Sequence, residues 1–190
     1  MRVSLPFLLL LGACSVAPPA PPVPAPEAAA GGPTPGVSTP QLATLQRRYR
    51  VDGLDRRDFT HAQLWTAIGP IIDAAPGLER QVVGRSGLGR PIFAVRYGRG
   101  PTRVLLWSQM HGNESTATMA LADIFRFLAL APDDPLARRL ADRLTVLFVP
   151  MLNPDGAQRF QRWNAQGVDI NRDARSLATP EARTLRNLQV

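Results

Sequence analysis

The stretch Arg103 to Glu114, RVLLWSQMHGNE, decides the fold. Its first eight residues, Arg103 to Met110, are apolar and continuous enough to predict a strand buried on both faces, as in a parallel or mixed sheet. The strand delivers His111 and Glu114, an imidazole and a carboxylate three positions apart, with Gly112 between them to let the backbone turn tightly. Active groups of open α/β sheets collect beyond the carboxyl ends of the strands, which is where this pair falls. Taken alone, His-x-x-Glu is a weak signal, because a loop histidine can simply hydrogen-bond a neighbour. A catalytic zinc usually takes three protein ligands, and the chain holds only one other histidine, His61.

Downstream, Ala117, Leu121, Ile124, Phe125 and Leu128 recur at helical spacing and predict an amphipathic helix ending before Pro132. A short helix around Leu136 to Arg143 follows, then LTVLFVPMLN, a second buried strand. Strand, helix, strand in this order predicts an α/β fold in which a mixed, mostly parallel central sheet is flanked by helices. Upstream, Arg80 to Val83 and Ile92 to Tyr97 read as a hairpin joined by the glycine-rich GRSGLGRP. Before it, Leu64, Trp65, Ile68 and Ile72 recur at helical spacing behind Thr60 as a candidate N-cap and predict one helix or two short ones, Gly69-Pro70 arguing for a break inside the segment.

The first forty residues are of a different kind. Met1-Arg2 and VSLPFLLLLGA have the layout of a secretory signal, with about 10 apolar residues, too few to span a bilayer. Leu11-Gly12-Ala13-Cys14 resembles the lipobox of bacterial lipoproteins, in which cleavage precedes an acylated cysteine; Cys14 is the only cysteine. Residues 1–13 are therefore expected to be a signal peptide, and 14–40 an acylated cysteine followed by a Pro/Ala-rich tether. The expected address is the bacterial cell envelope, with membrane contact through the lipid only. The formal charge is +7 and all 22 basic residues are arginine, yet they are scattered among acids with no basic run, which argues against nucleic-acid binding.

The segment Asn153 to Asp173, NPDGAQRFQRWNAQGVDINRD, together with HGNE, resembles the zinc carboxypeptidase family, the carboxypeptidase A-like or funnelin metallopeptidases. The likeness runs over roughly residues 78 to 185. Carried over by position, it implies that His111 and Glu114 are two ligands of one Zn²⁺ and that Arg162 polarises the scissile carbonyl and stabilises its oxyanion. It implies further that Asn171 and Arg172 grip the C-terminal carboxylate of a peptide, and that Asp169 orients the first histidine. These roles are chemically sensible, since a guanidinium meets a carboxylate through two charge-assisted bonds and a second cation can stabilise an oxyanion. NPDG itself reads as a structural turn.

The resemblance also implies an incomplete set. The family's second zinc histidine, its substrate-contacting tyrosine and its general-base glutamate lie beyond DINRD, whereas the helical pattern from Thr179-Pro180-Glu181 runs to Val190 and ends. Residues 41–190 are thus expected to be the N-terminal part of a catalytic domain, without the third ligand and inactive alone. His61, expected on an exposed first helical turn, and Glu181 are poor substitutes. Two other readings remain: a zinc deacylase of N-acyl amino acids, of the aspartoacylase or succinylglutamate desuccinylase kind, and a catalytically dead, lipid-anchored peptide-binding module. Peptides with a free C-terminus, cell-wall peptides among them, are the expected partner.

Overall fold

A computed structural model describes residues 36–189. The signal peptide, Cys14 and most of the tether lie outside the described residues. Helix α1 spans Thr39–Tyr49, with Pro40 in its first turn, where a missing N–H costs nothing. The tether reading of residues up to Pro40 therefore runs two residues into folded structure. Helix α2, His61–Asp73, is capped as expected: Thr60 Oγ1 accepts from Gln63 N, and Gln63 Oε1 accepts in return from Thr60 N at 2.8 Å. Of the two expected arrangements the single helix holds, and Gly69-Pro70 does not break it. Leu64, Ile68, Gly69 and Ile72 are buried on one side of α2, and this packing carries the helix through Pro70 despite the lost N–H.

Strands β1 (Leu78–Arg85) and β2 (Pro91–Tyr97) form the expected antiparallel hairpin. Strand β3 (Thr102–Trp107), helices α3 (Thr116–Leu130) and α4 (Pro135–Arg143), and strand β4 (Leu144–Val149) follow, then helices α5 (Pro154–Gln158) and α6 (Pro180–Leu188). The sheet order is β1-β2-β4-β3. It is mixed, as expected, although among the described strands only β3 with β4 is parallel, while β1 with β2 and β2 with β4 are antiparallel.

Side chains alternate along the strands and feed two cores, one on each face. Val95, Tyr97, Val146 and Phe148 face the core formed with α1, α2 and α3, where Phe125 meets Phe148 edge-on at 5.2 Å. Ile92, Ala94 and Val149 face the other, closed by Leu152, Ile170, Ala182 and Leu185. Within α3 the buried positions are Thr118, Leu121, Ala122, Phe125, Phe127 and Leu128, whereas Ile124 is exposed.

Strand β3 departs from expectation. Among the described residues it pairs only with β4 and forms an edge of the sheet, so Leu106 and Trp107 remain 42% and 43% exposed instead of buried on both faces. The apolar run encodes a central strand, but burial also needs a neighbour on the second edge. No described helix is long and apolar enough to cross a membrane.

Candidate active site

Beyond the ends of β3 and β4 the two segments stay zipped together. Ser108 N donates to Val149 O (2.9 Å), Leu152 N to Ser108 O (3.1 Å) and Asn153 N to Gln109 O (3.1 Å). This pairing carries both strand ends to the same place and sets HGNE beside NPDG. His111 to Glu114 forms a tight turn closed by Glu114 N donating to His111 O at 3.0 Å. The turn leans on α5: a Cβ added to Gly112 would stand 2.0 Å from the Gly156 carbonyl carbon. Asn153 caps α5, accepting from Gly156 N at 2.8 Å, while its Nδ2 donates to Met110 O at 3.2 Å and lies 3.4 Å from Arg162 O. The turn expected at NPDG is thus a short capped helix that joins the His111 segment to the Arg162 segment.

Two buried carboxylates fasten the β1–β2 connection to this platform. Asp155 accepts from Arg90 Nη1 at 2.6 Å and from Leu88 N at 2.9 Å. Glu181, fully buried at the start of α6, accepts from Gly87 N (3.0 Å) and Asn164 Nδ2 (3.1 Å). Asn164 Oδ1 in turn accepts from Gln166 N and Val168 N and shapes the loop that leads to Asp169. Glu181 is therefore a structural acceptor in a buried network.

Four of the residues singled out in the sequence converge. His111, buried, faces two carboxylates: Nδ1 is 2.9 Å from Glu114 Oε2, and Nε2 is 3.0 Å from Asp169 Oδ1. Asp169 Oδ2 accepts from Arg162 Nε at 3.0 Å and Nη2 at 2.9 Å, and Arg162 Nη1 lies 3.6 Å from Glu114 Oε1. One carboxylate therefore holds the imidazole with one oxygen and the guanidinium with the other. Asp169 also accepts from Asn171 N at 3.0 Å, so it serves the turn and the site together. Burial pushes its pKa up, but the bonds from His111, Arg162 and Asn171 outweigh this and hold it below the ordinary carboxylate value.

Asn171 and Arg172 follow on the same turn, with Arg172 N donating to Asp169 O at 2.9 Å. Their side chains are exposed and make no hydrogen bond among the described residues. Asp173 anchors the turn from behind, accepting from Ala178 N, Thr179 N and Thr179 Oγ1.

His61 stands apart. It is half-buried, its ring stacks on Phe93 (6.1 Å, 13°), and Nε2 meets Pro91 O at 3.0 Å. Among the described residues, no group of three His, Cys, Asp or Glu is arranged to hold a metal. The His111–Glu114 pair nevertheless fits half a zinc site. With the ring proton on Nε2 and donated to Asp169, Nδ1 offers its lone pair beside the Glu114 carboxylate, the donor set that a cation between them would need. Two ligands each about 2.0–2.1 Å from one tetrahedral zinc stand about 3.3–3.4 Å apart, so the pair, 2.9 Å apart here, needs to open only slightly to admit the ion. A carboxylate on the far ring nitrogen is the usual companion of a metal-bound histidine.

The zinc carboxypeptidase family model matches residues 72–183. Carboxypeptidase 2 of Trichophyton rubrum is 34% identical over 86 residues, a match that covers 45% of this chain and 16% of the relative. Among solved structures, the metallo-carboxypeptidase from Burkholderia cenocepacia superposes with a TM-score of 0.59 at 26% identity, over 68% of this chain and 37% of that one. The metallo-carboxypeptidase from Pseudomonas aeruginosa, in complex with (2-guanidinoethylmercapto)succinic acid, gives 0.54 at 29% identity, over 67% and 34%. The chain thus spans little more than a third of these solved chains and less of the curated relative. With the family model matching over half of its length, and the sheet matching those of solved metallo-carboxypeptidases, the chain belongs to the zinc carboxypeptidase family.

Proposed function

We propose that the chain carries one half of the site of a zinc-dependent metallocarboxypeptidase that hydrolyses C-terminal peptide bonds. The observation that supports this most is the single carboxylate of Asp169, which holds His111 and Arg162 together. In this reading His111 and Glu114 would hold the ion. Lewis acidity that makes water a competent nucleophile near neutral pH is what a bound zinc supplies.

The chain's own residues do the rest. With Nε and Nη2 committed to Asp169, Arg162 has Nη1 left to steady the oxygen of a scissile carbonyl as charge develops on it. Because Asp169 ties guanidinium to imidazole, the ligand and the oxyanion donor keep a fixed relation, as pre-organised electrostatic stabilisation requires. The exposed Arg172 and Asn171 take the substrate's terminal carboxylate, Arg172 by two parallel bonds. The dicarboxylic ligand named with the P. aeruginosa structure accords with carboxylate recognition there.

Two ligands of the usual three are assigned, so the 190-residue chain by itself is proposed to lack turnover. Attachment through an acylated Cys14, a place in the bacterial envelope and cell-wall peptides as substrates belong to the same proposal and rest on the sequence of residues 1–40.

The test is binding of short peptides that differ only in having a free or an amidated C-terminus, followed by fluorescence anisotropy on the full chain. The free acid is expected to bind at least about tenfold more tightly, since a lost charged pair typically costs 1.5–3 kcal/mol, and Arg172→Ala to erase the difference. Equal binding of acid and amide refutes the carboxylate clamp. Preference for N-acyl amino acids over peptides shifts the reading to a deacylase.

A further inference from the structure

We propose that Gln109 is a positioning residue for the His111–Glu114 turn: its buried side-chain amide fixes the Gly112 carbonyl and so holds Nδ1 and Oε2 toward one another. The inference rests on the metal-ligand reading of that turn. Gln109 is 3% exposed, and its Nε2 donates to Gly112 O at 2.8 Å, spanning the turn from its entry to its centre. Its Oε1 accepts from Thr118 Oγ1 at 2.9 Å. The Thr118 hydroxyl is itself paired with Ser108 Oγ at 2.9 Å and shares its proton between Gln109 Oε1 and Pro150 O. A chain of buried polar groups thus runs from the end of β3 through α3 into the turn.

The backbone of Gln109 points the same way. Its φ is +50°, in the left-handed region that residues other than glycine seldom occupy. Strain of this kind persists only where surrounding contacts over-determine it, and it gathers at functional sites. Here the contacts are the side-chain amide and the Asn153 N–H on the Gln109 carbonyl. Asparagine or glycine would take this backbone more readily. What glutamine adds is length: an asparagine amide, one methylene shorter, falls short of Gly112 O. A glutamate has the length, but its carboxylate cannot donate to a carbonyl. Gly112, pressed on its other side against Gly156, is thereby gripped from two directions.

The experiment uses the full chain and the variants Gln109→Asn and Gln109→Glu. Three quantities are read at one fixed pH: zinc affinity by competitive titration, the imidazole ¹⁵N signals of metal-free His111, and the thermal midpoint. Both variants are expected to lose at least about tenfold in zinc affinity, the range seen when groups that orient a ligand are removed. Their His111 ring nitrogens are expected to average between tautomers, where the parent chain shows one. A lower midpoint with parental zinc affinity and parental His111 signals overturns the proposal, because that is what a purely structural glutamine gives. Should either variant fail to fold, Thr118→Val removes the hydroxyl that anchors Oε1; a parental result there overturns the proposal equally. A parent chain that binds no zinc refutes the ligand reading instead, and the His111 signals still decide the role of Gln109.

Discussion

Replacing Gly112 by alanine tests how the site is held, because the added methyl has nowhere to go. The new Cβ would lie 2.0 Å from the Gly156 carbonyl carbon, 2.2 Å from Ala157 N and 2.5 Å from Gly156 Cα, all of them backbone atoms. Real Cβ contacts begin near 3.0 Å, so the turn and α5 must part by about 1 Å, against the packing that fixes both. Overpacking typically costs 1–3 kcal/mol, and a clash with main chain belongs at the upper end, about 3 kcal/mol. In a folded part of this size that corresponds to a drop of roughly 6–12 °C in Tm. Gly89→Ala is the control: φ is +78° but open space surrounds the new methyl, so only the left-handed penalty of roughly 1–2 kcal/mol applies. Urea unfolding of both variants gives the comparison. A Gly112→Ala chain within about 0.5 kcal/mol of the parent, or less destabilised than Gly89→Ala, refutes the claim that turn and α5 are locked backbone to backbone.

Burial lowers the pKa of His61, with the nearby Arg90 acting in the same direction against the Pro91 carbonyl bond, so the unfolded chain protonates this ring first as pH falls. The associated stability is complete above about pH 6.5 and is lost as pH drops from there toward the folded value. His61→Leu is therefore expected to flatten the fall in unfolding free energy between pH 7 and 5; an unchanged slope counts against this assignment. Glu181→Gln keeps the shape of a fully buried acceptor but sets an NH₂ group against Gly87 N or Asn164 Nδ2. It should cost about 2 kcal/mol in chemical denaturation, and a neutral outcome would mean that water already reaches this carboxylate.

The helices and their caps were legible because their signals are local. Thr60, Thr179 and the spacing of Leu121, Phe125 and Leu128 act within a few residues of themselves. HGNE and DINRD were legible as two segments of one site: Asp169, expected beside the first histidine, faces His111 and also accepts from Asn171 N in its own turn. What escaped the sequence depends on partners far along the chain. NPDG reads as a turn, yet Asn153 caps a short helix and also reaches Met110, 43 residues away. Glu181 reads as first-turn helix chemistry, yet it binds Gly87, 94 residues away. Gln109 carried no left-handed signal of the glycine or asparagine type. Pro70 and β3 were decided by packing: burial carried a helix through a breaker, and among the described residues an apolar strand has no second neighbour.

The central claim, that His111 and Glu114 hold a metal between them, is tested most directly by anomalous diffraction from crystals of the chain grown with zinc. The expected result is a peak about 2.0–2.2 Å from both His111 Nδ1 and Glu114 Oε2, with the Nε2–Asp169 bond kept at its 3.0 Å length. Zinc bound elsewhere while the 2.9 Å His111–Glu114 bond stays intact would contradict it.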